Sequence, residues 1–176
     1  MNVLREKTAL EILKNHQCTK VNSIEEGEII IKMLESSLID AHTDYVSLTA
    51  PQLNVMRQVA IIRTDDTSID LINPVIIDFK DKIISFKERC LSFPANCVNC
   101  FRWNEITIKN GIVGIEKKFT GKLATLVQHA IDHLNGIVFY DRAIKLAIVR
   151  EDGIIKDIDY CPCGSKERFS KCCMRK

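Results

Sequence analysis

Gln128-His129-Ala130-Ile131-Asp132-His133 sits inside a longer helical pattern, and the reading of the fold begins there. Leu123, Leu126, Val127, Ala130, Ile131 and Leu134 recur at three- and four-residue intervals, as one buried helix face requires. Thr120 stands where an N-cap is expected, and Gly136 where a left-handed residue ends a helix. His129 and His133 are four apart, so both rings leave one side of this helix and can aim a nitrogen at one metal ion. They are two of the four histidines in the chain, yet spacing alone leaves a pair of neighbouring structural histidines as an equal reading.

Upstream the pattern changes. Residues 58–63, 74–78, 82–86 and 105–109 are short β-rich runs, and Asn110-Gly111 after the last is a hairpin signal. Residues 45–51 are extended in character, and residues 25–41 carry Ile29, Ile30, Met33, Leu34, Leu38 and Ala41 at helical spacing. Downstream, residues 148–155 suggest a small hairpin over Asp152-Gly153, and a cysteine-rich tail follows from about Tyr160. Helix, then strands, then helix is an α+β order rather than alternating βαβ units. The expected division is a main domain over 1–155 and a short tail over 156–176.

Composition narrows the function. Lys and Arg total 25 against 23 Asp and Glu, a net charge of +2 that argues against sequence-specific nucleic-acid binding through a large basic surface. A hydrophobic fraction of 46% excludes a disordered chain. No apolar run reaches the roughly 20 residues of a membrane span, and the charged N-terminus lacks a signal-peptide core, so the expectation is a cytoplasmic protein without a membrane partner. Eight cysteines in a reducing compartment point to metal ligands or reactive groups before disulfides.

Two more stretches give the histidine pair a context. Tyr45-Val46-Ser47-Leu48-Thr49-Ala50-Pro51-Gln52 and Glu88-Arg89-Cys90-Leu91-Ser92 precede it in that order. Together the three resemble the peptide deformylases, metal hydrolases whose motifs are Gly-x-Gly-x-Ala-Ala-x-Gln, Glu-Gly-Cys-x-Ser and Gln-His-Glu followed by a second His four residues after the first. The likeness extends to Leu71-Ile72-Asn73-Pro74, Arg102 and Asp132-His133-Leu134-Asn135-Gly136, and covers about residues 25–141. It implies antiparallel sheets packed around a C-terminal helix that carries the two histidines.

The resemblance also implies a function: removal of the formyl group from the N-terminal methionine of nascent N-formylmethionyl peptides. Cys90, His129 and His133 would hold one divalent ion, Fe2+ or Zn2+ with Ni2+ or Co2+ as alternatives, since one thiolate and two imidazoles suit all of these. The Gln52 amide and the Leu91 backbone N–H would face the developing oxyanion. Backbone near Val46 and Ser47 would pair with the peptide as an added strand, and Arg102 would lie near the substrate. Gln128 would orient a ligand from behind.

Ala130 departs from the pattern, because the family has its general acid/base glutamate there. Its absence spares metal and substrate binding while removing a proton-transfer contribution of about 100- to 10,000-fold. Either a drifted natural site or a deliberate Glu-to-Ala change fits, and a protein that binds formylated peptides without cleaving them is the alternative function. Tyr45, Ser47 and Thr49 also replace Gly, Gly and Ala of the first motif.

The tail Cys161-Pro162-Cys163-Gly164-Ser165 with Cys172-Cys173 suits a four-thiolate structural zinc site. It resembles the zinc-binding motif at the C-terminus of the SecA translocation ATPase. Its basic residues make the ribosome or a chaperone the expected partner. Cys97 and Cys100 have the spacing of a redox pair or an accessory metal site, but no histidine or second pair accompanies them, so this is the minor reading and they stay unassigned. Cys18 reads as structural.

Overall fold

The computed structural model describes residues 3–38, 45–144, 161, 165 and 167–172. The hairpin expected at 148–155 lies outside the described residues, as do Cys163 and Cys173. Helix α1 spans Glu6–Asn15 and α2 spans Ile24–Ser36. Strands β1 (Tyr45–Thr49), β2 (Val59–Thr64) and β3 (Ser68–Ile72) form one antiparallel sheet in that order. Strands β4 (Val75–Glu88), β5 (Val98–Asn110) and β6 (Ile115–Thr120) form a second, and α3 (Gly121–Leu134) follows. The α+β expectation holds, with two antiparallel sheets around the last helix.

Strand parity explains how the first sheet is buried on both sides. Val59, Ala60, Ile61 and Ile62 are all fully buried. Successive strand residues point to opposite faces, so Ala60 and Ile62 join Val127, Ala130, Ile131 and Leu134 of α3. Ile61 instead packs with Leu48 of β1 and Ile30, Ile31 and Leu34 of α2. From the second sheet, Ile106 and Ile108 close on the α3 side. Helix α3 therefore lies between the sheets, and everything it carries is held from two directions.

Local chemistry sets the element ends. Ser23 caps α2 by accepting the Glu26 N–H at 3.2 Å. That helix ends at Ser36, short of the residue 41 expected from its periodicity. Thr120 occupies the N-cap of α3 as expected, but its side chain makes no capping hydrogen bond. At the other end Gly136 has φ +74°, with its N–H on His133 O at 3.2 Å and the Ile137 N–H on Asp132 O at 2.9 Å. That pair of bonds is a Schellman closure, which needs a residue without a Cβ penalty at positive φ. Asn110 ends β5 and ties the sheets together: its side chain donates to Asp70 O at 2.9 Å and accepts from Ile72 N at 2.8 Å. The hairpin signalled there is present, with a loop of Gly111 to Gly114.

Candidate metal centre

Three side chains from two elements converge at one buried point. Cys90 enters from the turn that follows β4, which is closed by the Phe93 N–H on Cys90 O at 3.0 Å. His129 and His133 enter from consecutive turns of α3. Cys90 Sγ lies 3.2 Å from His133 Nε2, and the two histidine Nε2 atoms are 3.1 Å apart. Among the described residues this is the cluster whose ligand atoms could hold a metal ion, and all three residues are buried.

The donor set fits a small divalent ion. With metal–nitrogen bonds near 2.05 Å and a metal–sulfur bond near 2.3 Å, tetrahedral angles put ligand atoms about 3.3–3.6 Å apart. The separations here fall within a few tenths of an ångström of that range. Burial alone would push the Cys90 thiol up, but hydrogen bonds and charge from both imidazoles outweigh it and bring it down to about 5. The thiolate, the form that ligates, is thereby favoured at neutral pH.

Support for the two histidines is unequal. His129 Nδ1 lies 2.7 Å from Glu88 Oε1, so Nδ1 carries the proton and Nε2 faces the centre. Burial lowers the His129 value, while Cys90 and Glu88 overcome this and raise it to about 9. Among the described residues, the buried His133 Nδ1 has no hydrogen-bond partner. Burial would raise the Glu88 carboxyl, yet His129 and Arg102 hold it well below the usual carboxylate range. Arg102 is 3% exposed and bonds Glu88 through Nη2 at 2.6 Å and Nε at 3.0 Å.

Gln52 stands beside Cys90 in a fixed orientation. Its Oε1 accepts from the Thr49 N–H and hydroxyl, both at 3.0 Å, so its Nε2 faces Ser92 Oγ at 3.0 Å and Cys90 Sγ at 3.7 Å. The amide is thus locked as a donor toward the centre. Leu91 follows Cys90 in the same turn, and its carbonyl accepts from Arg5. Val46 and Ser47 lie on β1, which among the described residues is an edge strand of its sheet, with Val46 buried and the Ser47 hydroxyl buried without a partner there. Ala130 is fully buried within the apolar cluster between α3 and the sheets.

This geometry corrects one expectation and decides against one minor reading. Gln128 does not support a metal ligand: it clips α3 to β5, donating to Trp103 O at 2.7 Å and accepting from Trp103 N at 2.9 Å. Cys97 and Cys100 do not form a pair. Cys97 immediately precedes β5 and is exposed, whereas Cys100 lies inside that strand, fully buried, and donates to Glu88 Oε2 at 3.1 Å. Three residues along extended chain separate Cα atoms by about 10 Å, beyond the reach of about 7 Å for a disulfide. Sequence reasoning also missed Glu88, Asp132 and Arg142 as a connected ionic support. Asp132 is held by Arg102 Nη1 at 2.5 Å and Arg142 Nη2 at 2.7 Å.

Residues 7–148 match the family described as polypeptide deformylase. The chain belongs to that family. It is 32% identical over 139 residues to the peptide deformylase of Dictyoglomus thermophilum, covering 76% of this chain and 90% of that protein. The crystal structure of peptide deformylase from Thermotoga maritima superposes with a TM-score of 0.70 at 25% identity, covering 80% of this chain and 95% of that one. The Synechococcus elongatus deformylase, solved in complex with actinonin, gives a TM-score of 0.68 at 25% identity, covering 80% and 77%. Peptide deformylases are metallohydrolases that use a divalent metal and remove the formyl group from N-formylmethionyl peptides in N-terminal processing. No helix among the described residues is long and apolar enough to cross a membrane.

Proposed function

We propose that Cys90, His129 and His133 hold one divalent ion, Fe2+ or Zn2+, and that N-formylmethionyl peptides bind beside it. The observation that carries this reading is the convergence of three buried ligand atoms next to an amide whose orientation is fixed. A divalent ion bound there would lower the pKa of water and so make hydroxide available to attack a formyl carbon near neutral pH. The chain's own residues bind and orient the peptide. Gln52 Nε2 and the Leu91 N–H bind the carbonyl oxygen as charge develops on it, each worth about 3 kcal/mol of barrier. The open edge of β1 at Val46 and Ser47 pairs with the peptide backbone. Arg102, which the resemblance placed near the substrate, is buried on Glu88 and Asp132 and holds the ionic support in place behind the site instead.

Ala130 favours a second reading, a chain that binds formylated peptides without cleaving them. A methyl group can neither take nor give a proton, and it is packed among apolar side chains. The tail completes the proposal: Cys161, Cys163, Cys172 and Cys173 bind a structural zinc, and the basic residues around them serve ribosome or chaperone docking in the cytoplasm. The main domain over 1–155 and the tail over 156–176 are then separate functional units.

The test measures binding and hydrolysis of a formyl-methionyl peptide by this chain and by Ala130→Glu. Hydrolysis that rises at least 100-fold on substitution, with binding in both proteins, supports an enzyme lacking its base. Binding without hydrolysis in either supports the non-cleaving reading. Absence of peptide binding by both metal-loaded, folded proteins overturns the proposal.

A further inference from the structure

We propose that Cys100 is a positioning residue of the metal centre, its buried thiol fixing the Glu88 carboxylate in the orientation that sets His129 as a ligand. This rests on the reading of Cys90, His129 and His133 as a metal site. The geometry around Glu88 carries it. An ionised carboxylate offers about four acceptor positions, and four donors approach. Oε1 receives His129 Nδ1 at 2.7 Å and Arg102 Nη2 at 2.6 Å. Oε2 receives Arg102 Nε at 3.0 Å and Cys100 Sγ at 3.1 Å.

The backbone is shaped to make this contact. The β4–β5 register shifts between Ser85 and Glu88, and Lys87 has φ +49°, so the strand bulges just before Glu88. The bulge aims Glu88 inward, to the side where Cys100 and Arg102, two apart on β5, both point. Cys100 lies opposite Ser85, at the start of that bulge. Burial and the neighbouring Glu88 charge both push the Cys100 thiol up, so it keeps its proton and stays a donor.

The thiol matters because Arg102 is shared. Its third donor, Nη1, is drawn to Asp132 at 2.5 Å, so Arg102 is pulled from two sides. The terminal torsion of a glutamate is soft, and with an apolar residue at 100 one acceptor site of Oε2 would be left empty in a buried place. Turning the carboxylate to satisfy Oε2 elsewhere moves Oε1 off His129. Among the described residues His133 Nδ1 has no partner, so Glu88 is the carboxylate that orients a ligand there.

The experiment uses the full chain with Cys100→Val, Cys100→Ser and His133→Ala. Zinc affinity is measured by competition with a chromophoric chelator, and the zinc lost in His133→Ala separates this centre from the cysteine tail. Proton and nitrogen-15 NMR of the imidazoles reads the hydrogen-bonded His129 Nδ1–H in metal-free protein, and Tm is recorded for each. The expected result is a loss of about 10-fold in zinc affinity for Cys100→Val, with an upfield-shifted, faster-exchanging His129 Nδ1–H signal. Cys100→Ser, which keeps a donor, stays within about threefold of the parent. Parent-like affinity and Nδ1–H signal in Cys100→Val overturn the proposal. So do equal losses in both variants that track a fall in Tm, which is the signature of packing alone. If His133→Ala removes no zinc, the metal-site reading itself fails, and this inference falls with it.

Discussion

Arg102 joins Glu88 and Asp132 from inside the protein, with Nη2 2.6 Å from one carboxylate and Nη1 2.5 Å from the other. Its exposure is 3%. Removing one member of a buried ionic group leaves uncompensated charge, at a cost of about 3–5 kcal/mol. Arg102→Met should therefore lower Tm by on the order of 10 °C in a protein of this size. The pH dependence has a definite sign. Because the fold holds the Glu88 carboxyl below its ordinary value, its contribution is complete above the unfolded value of about 4.3 and is lost as pH falls below it. Acid titration followed by circular dichroism should place unfolding of Arg102→Met at higher pH than the parent. An unchanged acid midpoint would show that Arg102 is not what holds Glu88 ionised.

Gly136 offers a test on stability without touching a ligand. A Cβ there would meet His16 O at 3.4 Å and Leu13 O at 3.5 Å, at φ +74°. The left-handed conformation costs about 1–2 kcal/mol for an L side chain, and the carbonyls belong to the end of α1, which has little freedom to move. Gly136→Ala should lose roughly 2 kcal/mol in denaturant unfolding with an unchanged m-value. A Tm equal to the parent's would mean that the Schellman closure of α3 does not constrain the chain.

The helix carrying the histidines was legible because its apolar face is buried on both sides, so period and burial coincide. The edge strand β4 was not. Residues 79–81 read as a break between two short runs, whereas the structure carries one strand from Val75 to Glu88, with Asp81 at φ +54° and most of residues 75–81 exposed. An exposed strand has no reason to alternate, so periodicity is silent there. Strands β3 and β6 were missed at five and six residues, and α1 because only Ala9 and Leu13 of its ten residues are buried. At the centre, Gln52, Cys90 and the histidines lay in recognisable motifs. The contact of Cys100 with Glu88 depends on a β-bulge, and the Arg102–Asp132–Arg142 chain depends on how α3 docks against β5. Neither leaves a local pattern.

The cysteines divide by environment, which thiol chemistry can read. Cys18 is 7% exposed, and burial pushes its thiol up to about 11. At pH 8 only about one molecule in a thousand would carry the thiolate, against roughly a quarter for a free cysteine of ordinary value 8.5. Cys97 is exposed. Alkylation of the native protein at pH 8, mapped by mass spectrometry, should label Cys97 promptly and Cys18 more than 100-fold slower than in the unfolded chain. Because the folded value is raised, the Cys18 contribution to stability is complete below about 8.5 and is lost as pH climbs toward 11. Comparable labelling of both residues would contradict the buried placement of Cys18.

Phe169 carries the described part of the tail onto the main domain. It is 2% exposed, and its ring stacks on Phe101 with centroids 6.0 Å apart and planes inclined by 26°. Phe101 alternates with Cys100 and Arg102 along β5, so its ring lies on the face turned away from the metal centre. Phe169→Ala would remove about 1.5–3 kcal/mol of apolar burial. Where proteolysis follows the opened population, that change raises trypsin cleavage after Arg168 and Lys171 by about 10- to 100-fold. Zinc affinity at Cys90, His129 and His133 should stay as in the parent, because the two phenylalanine rings meet on the opposite face of the strand. Faster cleavage accompanied by release of the centre's zinc would instead mean that the tail and the metal site are one cooperative unit.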